Sequence, residues 1–311
     1  METGDLLRSI INLPLISSGL AEEMLAGNFR SIFKGQGMEF DEARHYEAGD
    51  DIRSIDWNAS ARFGTPFVKM YREERELTIL LLIDISPSMH GGNIVRLGAR
   101  SPYEQALISS ALIAFSAEHT GQQVGAFFFD RDIERVFPPR KGRKHIMSIV
   151  TTALQYQNNF LPRKDKTRQN QRGSNIASAL TGAQRLLKKR SLVVLISDFY
   201  SVGWEQEMGK LCGKHDCIAL RICGSRELSF NGLITLEDPE TGVRVEAPAG
   251  LDSFKESWEA WHNERKANWE SQCRRSGASF LELSAETDAP STLIKFFGSR
   301  SLREYRRRKR L

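Results

Sequence analysis

Four nearly unbroken apolar runs constrain this chain more than any other feature. They are residues 77–83 (Leu-Thr-Ile-Leu-Leu-Leu-Ile), 124–129, 192–196 and 217–222. Each is short, and none alternates apolar with polar, so each reads as a strand buried on both faces. Such strands belong to parallel sheets, whose crossover helices cover the sheet on either side. The segments between them have the helical period. Residues 102–118 place Ile108, Ala111, Leu112 and Phe115 on one face, and 144–156, 175–189 and 204–211 also read as helices. A long helix is predicted over 252–275, with Phe254, Trp258, Trp261 and Trp269 at helical spacing, read as core. A strand over 279–283 and a helix over 291–297 follow. Alternating elements of this kind define the α/β class, here a mostly parallel sheet covered by helices on both faces.

The first 76 residues read differently. Leu6, Leu7, Ile10 and Ile11 suit one face of a short helix. Residues 31–76 are rich in Gly, Asp, Arg and aromatics without a sustained period, and 39–69 read as strands and turns, with Gly49-Asp50-Asp51 as one turn. Residues 1–76 are therefore expected to form a small β-rich extension, and 77–311 the α/β domain. Near 232–247 two short strands flank Asp238-Pro239-Glu240-Thr241-Gly242, a hairpin inserted into that domain.

A net charge of +5 is a mild excess, much of it in Arg306-Arg307-Arg308-Lys309-Arg310. Basic residues elsewhere are interspersed with acids, which argues against a nucleic-acid surface. Four cysteines in 311 residues make no disulfide framework. Cys212, Cys217 and Cys223 lie near His215 but lack a C-x-x-C pair, so buried reduced thiols are expected rather than zinc. The N-terminus lacks the basic-then-apolar order of a secretory signal, and no stretch approaches the roughly 20 apolar residues that span a bilayer. The expected location is the cytoplasm.

The apolar run 77–83 ends in Asp84-Ile85-Ser86-Pro87-Ser88, a turn carrying one carboxylate and two hydroxyls. Two further segments offer matching groups: Gly173-Ser174-Asn175, opening a helix, and Ser197-Asp198, closing the run 192–196. In a parallel sheet the alternation brings all three to one edge. That is the carboxyl edge, where ligands bind in open α/β sheets. Oxygen ligands of this type suit a small hard cation such as Mg²⁺.

This Asp-x-Ser-x-Ser turn, with a hydroxyl in a later loop and a strand-end Asp, resembles the metal-ion-dependent adhesion site of von Willebrand factor A domains. The resemblance implies a Rossmann-like fold and a Mg²⁺ ion (or Mn²⁺ or Ca²⁺) held by Asp84, Ser86, Ser88, Ser174 and Asp198. The hydroxyls would face the metal, the aspartates would act directly or through water, and a partner carboxylate would fill the last position. Ser174 stands where that family usually has Thr.

A second resemblance spans nearly the whole chain. Arg44-x-Tyr46-x-x-Gly49-Asp50-Asp51-x-Arg53-x-Ile55-Asp56-Trp57-x-x-Ser60-Ala61-Arg62, followed by Val68-Lys69-x-Tyr71-x-Glu73-Glu74-Arg75, looks like the signature of a bacterial family labelled domain of unknown function 58. Members carry a von Willebrand A-like domain and are commonly encoded beside MoxR-type AAA+ ATPases, which implies such an ATPase or its client as the partner. The residues themselves suggest a brace of paired charges, Asp50, Asp51 and Asp56 with Arg53 and Arg62, around a buried Trp57; a docking surface is the alternative.

The resemblances point to a non-enzymatic interaction module. The competing reading is a Mg²⁺-dependent phosphatase-like hydrolase with Asp84 as nucleophile. Its acid/base would sit two residues on, where this chain has Ser86. Phosphate-loop and nucleophile-elbow patterns are also missing from the sequence.

Overall fold

A strand of eight residues, β1 (Met38–His45), pairs antiparallel with β2 (Phe67–Glu73) in a compact unit spanning residues 29–76. The structure is a computed structural model and describes residues 19–21, 38–47, 50–73, 77–90, 101–158, 174–224, 232–238, 243–284 and 287–308. The short helix expected around Leu6 to Ile11 lies outside these residues, as do Gly49, Glu74, Arg75, Gly173, residues 239–242 and the last three residues of the chain.

Between β1 and β2 the chain forms a 3-10 turn (Ile52–Ser54) and a helix, α1 (Trp57–Phe63), where the sequence suggested only strands and turns. The acids explain the difference. Asp51 accepts from the Arg53 amide at 3.0 Å and caps the 3-10 turn. Asp56 accepts from the amides of Asn58 and Ala59 at 3.0 and 3.2 Å and starts α1. Gly64, at φ 69°, ends α1 in a left-handed conformation that suits glycine. The charges therefore do not form the expected brace. Asp50 pairs with Arg44 at 2.6 Å, and Asp56 lies 3.9 Å from Lys69. Trp57, expected in the core, is 70% exposed.

The second unit takes in residues 1–28 and 77–311. Its six-stranded sheet contains β3 (Thr78–Asp84), β4 (Gln123–Phe129), β5 (Ile133–Arg140), β6 (Leu192–Ser197), β7 (Asp216–Cys223) and β10 (Ser279–Ser284), in the order β10-β7-β6-β3-β4-β5. The hairpin β8 (Leu233–Glu237) and β9 (Arg244–Pro248) stands as a separate two-stranded sheet. All pairings in the large sheet are parallel except β5 on β4. Counted from β3 as first strand, the order is 3-2-1-4-5-6, the doubly wound arrangement, and it reverses between β3 and β6.

β5 had no counterpart in the sequence reading. Its Pro138, Pro139 and charged residues hide a strand, and they are tolerated because β5 is an edge. Gly125 of β4 opposes it at a register shift, where a Cβ would lie 2.8 Å from the Phe137 carbonyl oxygen.

Helices cover both faces. The helices are α2 (Pro87–His90), α3 (Pro102–His119), α4 (Arg143–Asn158), α5 (Ile176–Leu186), α6 (Glu205–Cys212), α7 (Asp252–Ser276) and α8 (Ala289–Arg308). One face carries Leu80 and Leu82 of β3, Phe127 and Phe129 of β4, and Val193 and Leu195 of β6, packed against α5, α6 and α7. The alternate strand residues face α3, which is buried nearly all round, with α4 and α8 beside it. The expected α/β architecture is what the chain adopts.

The α7 stripe behaves differently from its expectation. Only Trp269 and Cys273 are buried, and Trp261 is 42% exposed. α8 extends well beyond the expected 291–297, as far as Arg308, and is tied to β7 by an Arg300–Asp216 ion pair. Cys217 and Cys273 are buried thiols, and among the described residues no three His, Cys, Asp or Glu side chains cluster to hold a metal.

Candidate metal centre

Asp84 ends β3 at the point where the strand order reverses, and it is wholly buried. Side-chain alternation carries it onto the same sheet face as Leu80 and Leu82. Ile83 is in register with Ile196, so the next position on β6, Ser197, stands opposite Asp84 and shares its face with Val193 and Leu195. The Ser197 hydroxyl donates to Asp84 Oδ2 at 2.6 Å. α5 packs against this face, which brings the residue before its N-cap to the same carboxylate: Ser174 Oγ donates to Asp84 Oδ2 at 2.7 Å. The Asn175 amide donates to the Asp130 carbonyl at 2.8 Å, and the Asn175 side chain caps α5, which fixes that loop beside β4.

The turn after Asp84 closes on itself. The Ser86 amide donates to Asp84 Oδ1 at 2.9 Å, and the hydroxyls of Ser86 and Ser88 lie 3.0 Å apart. The Ile85 amide donates to the Phe129 carbonyl, securing the turn to the neighbouring strand. Asp198 comes one residue after Ser197, just past the end of β6. Its Oδ1 accepts from the Tyr200 amide at 3.1 Å, and the residue is buried.

The expected group therefore divides. Asp84 and Ser174 are in direct contact, Ser86 and Ser88 touch each other, and Asp198 holds its own turn at the end of the adjacent strand. Ser197 joins the cluster as well; the sequence reading names it only beside Asp198 and assigns it no role. Register was the signal that locates it.

Burial pushes the Asp84 carboxyl above the usual range, while hydrogen bonds from Ser197, Ser86 and Ser174 pull it the other way. Among the described residues no Lys, Arg or His pairs with it. His90 stacks on Tyr103 at 4.2 Å, and burial pulls its imidazole down to about 4, so it is neutral at pH 7 and supplies no counter-charge. Asp84 gathers the hydroxyls of Ser174 and Ser197, the Ser86–Ser88 pair lies on the same turn, and Asp198 ends the adjacent strand; these are oxygen donors with no sulfur or nitrogen, a set whose chemistry suits a small hard divalent cation.

Phe199 has φ 56°, the only non-glycine residue with positive φ among those described. Left-handed backbone at an aromatic residue is uncommon and clusters at functional sites. It turns the Phe199 ring inward, against Trp204 at 5.3 Å and Trp269 at 5.6 Å, and leaves Tyr200 44% exposed beside Asp198.

Sheet order, with the oxygen cluster at its reversal, defines a doubly wound α/β protein. Within that class the chain belongs to the family described as protein of unknown function DUF58, whose model matches residues 42–268. It is 28% identical to the uncharacterized proteins Mb1516 of Mycobacterium bovis and Rv1480 of Mycobacterium tuberculosis, over 283 residues that take in 89% of this chain and 84% of each relative. Among solved structures it is similar to a von Willebrand factor type A protein from Catenulispora acidiphila, at 12% identity and TM-score 0.36, covering 76% of this chain and 43% of that one. It is also similar to the pilus adhesin SpaC from Lactobacillus rhamnosus GG, at 11% identity and TM-score 0.40, covering 75% and 31%. The chain spans less than half of either solved chain. Among the described residues no helix is long and apolar enough to cross a membrane.

Proposed function

We propose that this protein is a non-enzymatic interaction module that engages a partner through a divalent cation. Asp84, Ser86, Ser88, Ser174 and Asp198 hold the ion, Mg²⁺ or alternatively Mn²⁺ or Ca²⁺, and a carboxylate of the partner completes its coordination. The supporting observation is Asp84: a wholly buried carboxylate, surrounded by hydroxyl donors, with no basic residue paired to it. Burying an uncompensated charge costs several kcal/mol, which a bound cation offsets. The two carboxylates and the neutral hydroxyls leave part of the ion's coordination to water, which a carboxylate of the partner can displace. Ser197, donating to Asp84, acts as a positioning residue. The family resemblance names the partner class, a MoxR-type AAA+ ATPase or that ATPase's client, and the chain is assigned to the cytoplasm.

Calorimetric titration with MgCl₂ and MnCl₂ tests the reading. Wild-type protein binds the cation and gains thermal stability, about 2.7 kcal/mol when the ion is at 100 times its dissociation constant. Asp84→Ala loses both. Asp84→Asn keeps the shape of the turn, so it folds and equally fails to bind. Pull-down of the ATPase is lost in chelator. Binding that persists in chelator overturns the metal bridge, and phosphomonoester hydrolysis lost in Asp84→Ala overturns the non-enzymatic assignment.

A further inference from the structure

α7 has 25 residues and a length of about 37 Å, against about 20 Å for the six-residue β10 that follows it. Its C-terminal part lies on the sheet: Trp269 is buried and packs on Phe280 at 5.6 Å. At the other end of the sheet Tyr200, just past β6, meets Arg265 and Trp261. Those positions meet the loop that follows β6 and Asp198, and the helix continues N-terminal of them. The aromatic stripe continues there as a ladder, Tyr200 to Trp261 at 6.5 Å, Trp261 to Trp258 at 5.9 Å and Trp258 to Phe254 at 6.1 Å. Val202, in the same loop as Tyr200, is 89% exposed.

One cation is set into this ladder. The Arg265 guanidinium lies 4.3 Å from the Tyr200 ring centroid and 5.0 Å from that of Trp261. It donates to the Phe199 carbonyl at 3.4 Å through Nη2, its buried Nε has no acceptor, and no carboxylate pairs with it among the described residues. Arg221 and Lys266, by contrast, share a carboxylate, that of Glu282, at 3.4 and 3.1 Å. A guanidinium held between aromatic faces is oriented in advance, and Trp, Tyr and Arg are the residues that dominate binding at interfaces.

We propose that Arg265, Tyr200 and Trp261 form the second half of the partner site and take an acidic segment of the partner protein. One carboxylate of that segment goes to the cation at Asp84, a second pairs with Arg265, and an apolar side chain between them lies on Trp261 and Tyr200. The inference rests on the metal reading above and adds the partner's chemistry: at least two acidic residues with an apolar one between. Charge complementarity selects this occupant, because Arg265 has no carboxylate paired with it among the described residues and the ion keeps a coordination position for an oxygen anion. The Tyr200 amide, bonded to Asp198, makes the two halves continuous.

The test uses synthetic peptides with two glutamates around a phenylalanine, separated by serine spacers of increasing length, and the same peptides with the second Glu replaced by Gln. Binding to the full chain in MgCl₂ is followed by tryptophan fluorescence, and Mg²⁺ binding alone by calorimetry. At the best spacing the two-glutamate peptide binds wild type about tenfold more tightly than its Gln counterpart. Arg265→Gln removes that difference without changing Mg²⁺ affinity or the circular dichroism spectrum, Arg265→Lys restores part of it, and Trp261→Ala weakens both peptides. Equal discrimination by wild type and Arg265→Gln overturns the inference, while loss of all binding in Asp84→Ala still upholds the metal bridge. Discrimination that survives chelator and Asp84→Ala upholds Arg265 and overturns the bridge. Failure of wild type to discriminate at any spacing overturns the inference. So does Mg²⁺-dependent self-association abolished by Arg265→Gln, since the occupant is then a second copy of this chain.

Discussion

In the six-stranded unit the central strands are buried on both faces, whereas in the unit of residues 29–76 the large apolar side chains of Ile52, Trp57 and Phe63 are 65%, 70% and 70% exposed. The first unit is organised by burial. Polar residues inside it such as Asp84, Ser86, Ser109, Ser116 and Ser197 are each tied to a hydrogen-bond partner, so the core accepts them. The second unit is organised by a hairpin, two Asp caps and the Arg44–Asp50 pair. A two-stranded sheet with little core is marginal by itself. Among the described side chains of this unit only Val68 is buried, so substitutions in the two units should differ in kind.

The largest effect is expected at Phe128. It is fully buried on β4 and lies 5.3 Å from Tyr156 and 6.1 Å from Phe137. Phe128→Ala removes a ring from a close-packed face and costs about 3–5 kcal/mol, read from urea unfolding. A loss below about 1 kcal/mol breaks the claim that burial organises this unit.

An intermediate effect belongs to Asp56. Asp56→Ala leaves the amides of Asn58 and Ala59 without their acceptor and weakens α1 by about 1 kcal/mol. Hydrogen exchange of these amides is the suitable measurement, since a local loss need not move the global transition. Faster exchange confined to residues 56–64 sharpens the comparison. Loss of the whole protein's stability would place this unit inside the cooperative core and remove the distinction.

What the sequence made legible follows the same divide. The strands β3, β4, β6 and β7 announce themselves because burial on both faces forces unbroken apolar runs. β5 does not, because an edge strand answers to fewer constraints and admits Pro138 and Pro139. Within the site, Asp84, Ser86, Ser88 and Ser174 were visible as spaced oxygen groups. Ser197 was hidden by attention to Asp198, although the register of β3 on β6 and a period of two point to it. In the small unit an Asp that caps and an Asp that pairs look alike in one dimension. Asp56 with Gly64 after it was the pattern that marks a helix between them. On α7 the aromatic period was read correctly as one face of a helix, but periodicity reports a face and not how far the opposing sheet extends.

The smallest effect is expected where the sequence suggested a buried anchor, at Trp57. A tryptophan in the core costs about 3–5 kcal/mol on truncation to Ala. Trp57 is 70% exposed at the first turn of α1, whose start is set by Asp56 and whose end is set by Gly64. Trp57→Ala is therefore expected to change stability by no more than about 0.5 kcal/mol in the same urea experiment. Its fluorescence gives a second readout: the other four tryptophans lie at 204, 258, 261 and 269, so a wild-type minus Trp57→Ala difference spectrum isolates Trp57. A red-shifted difference, quenched by iodide in the native protein, is the signature of a solvated indole. A blue-shifted, protected difference together with a loss of several kcal/mol would return Trp57 to the core and erase the contrast between the two units.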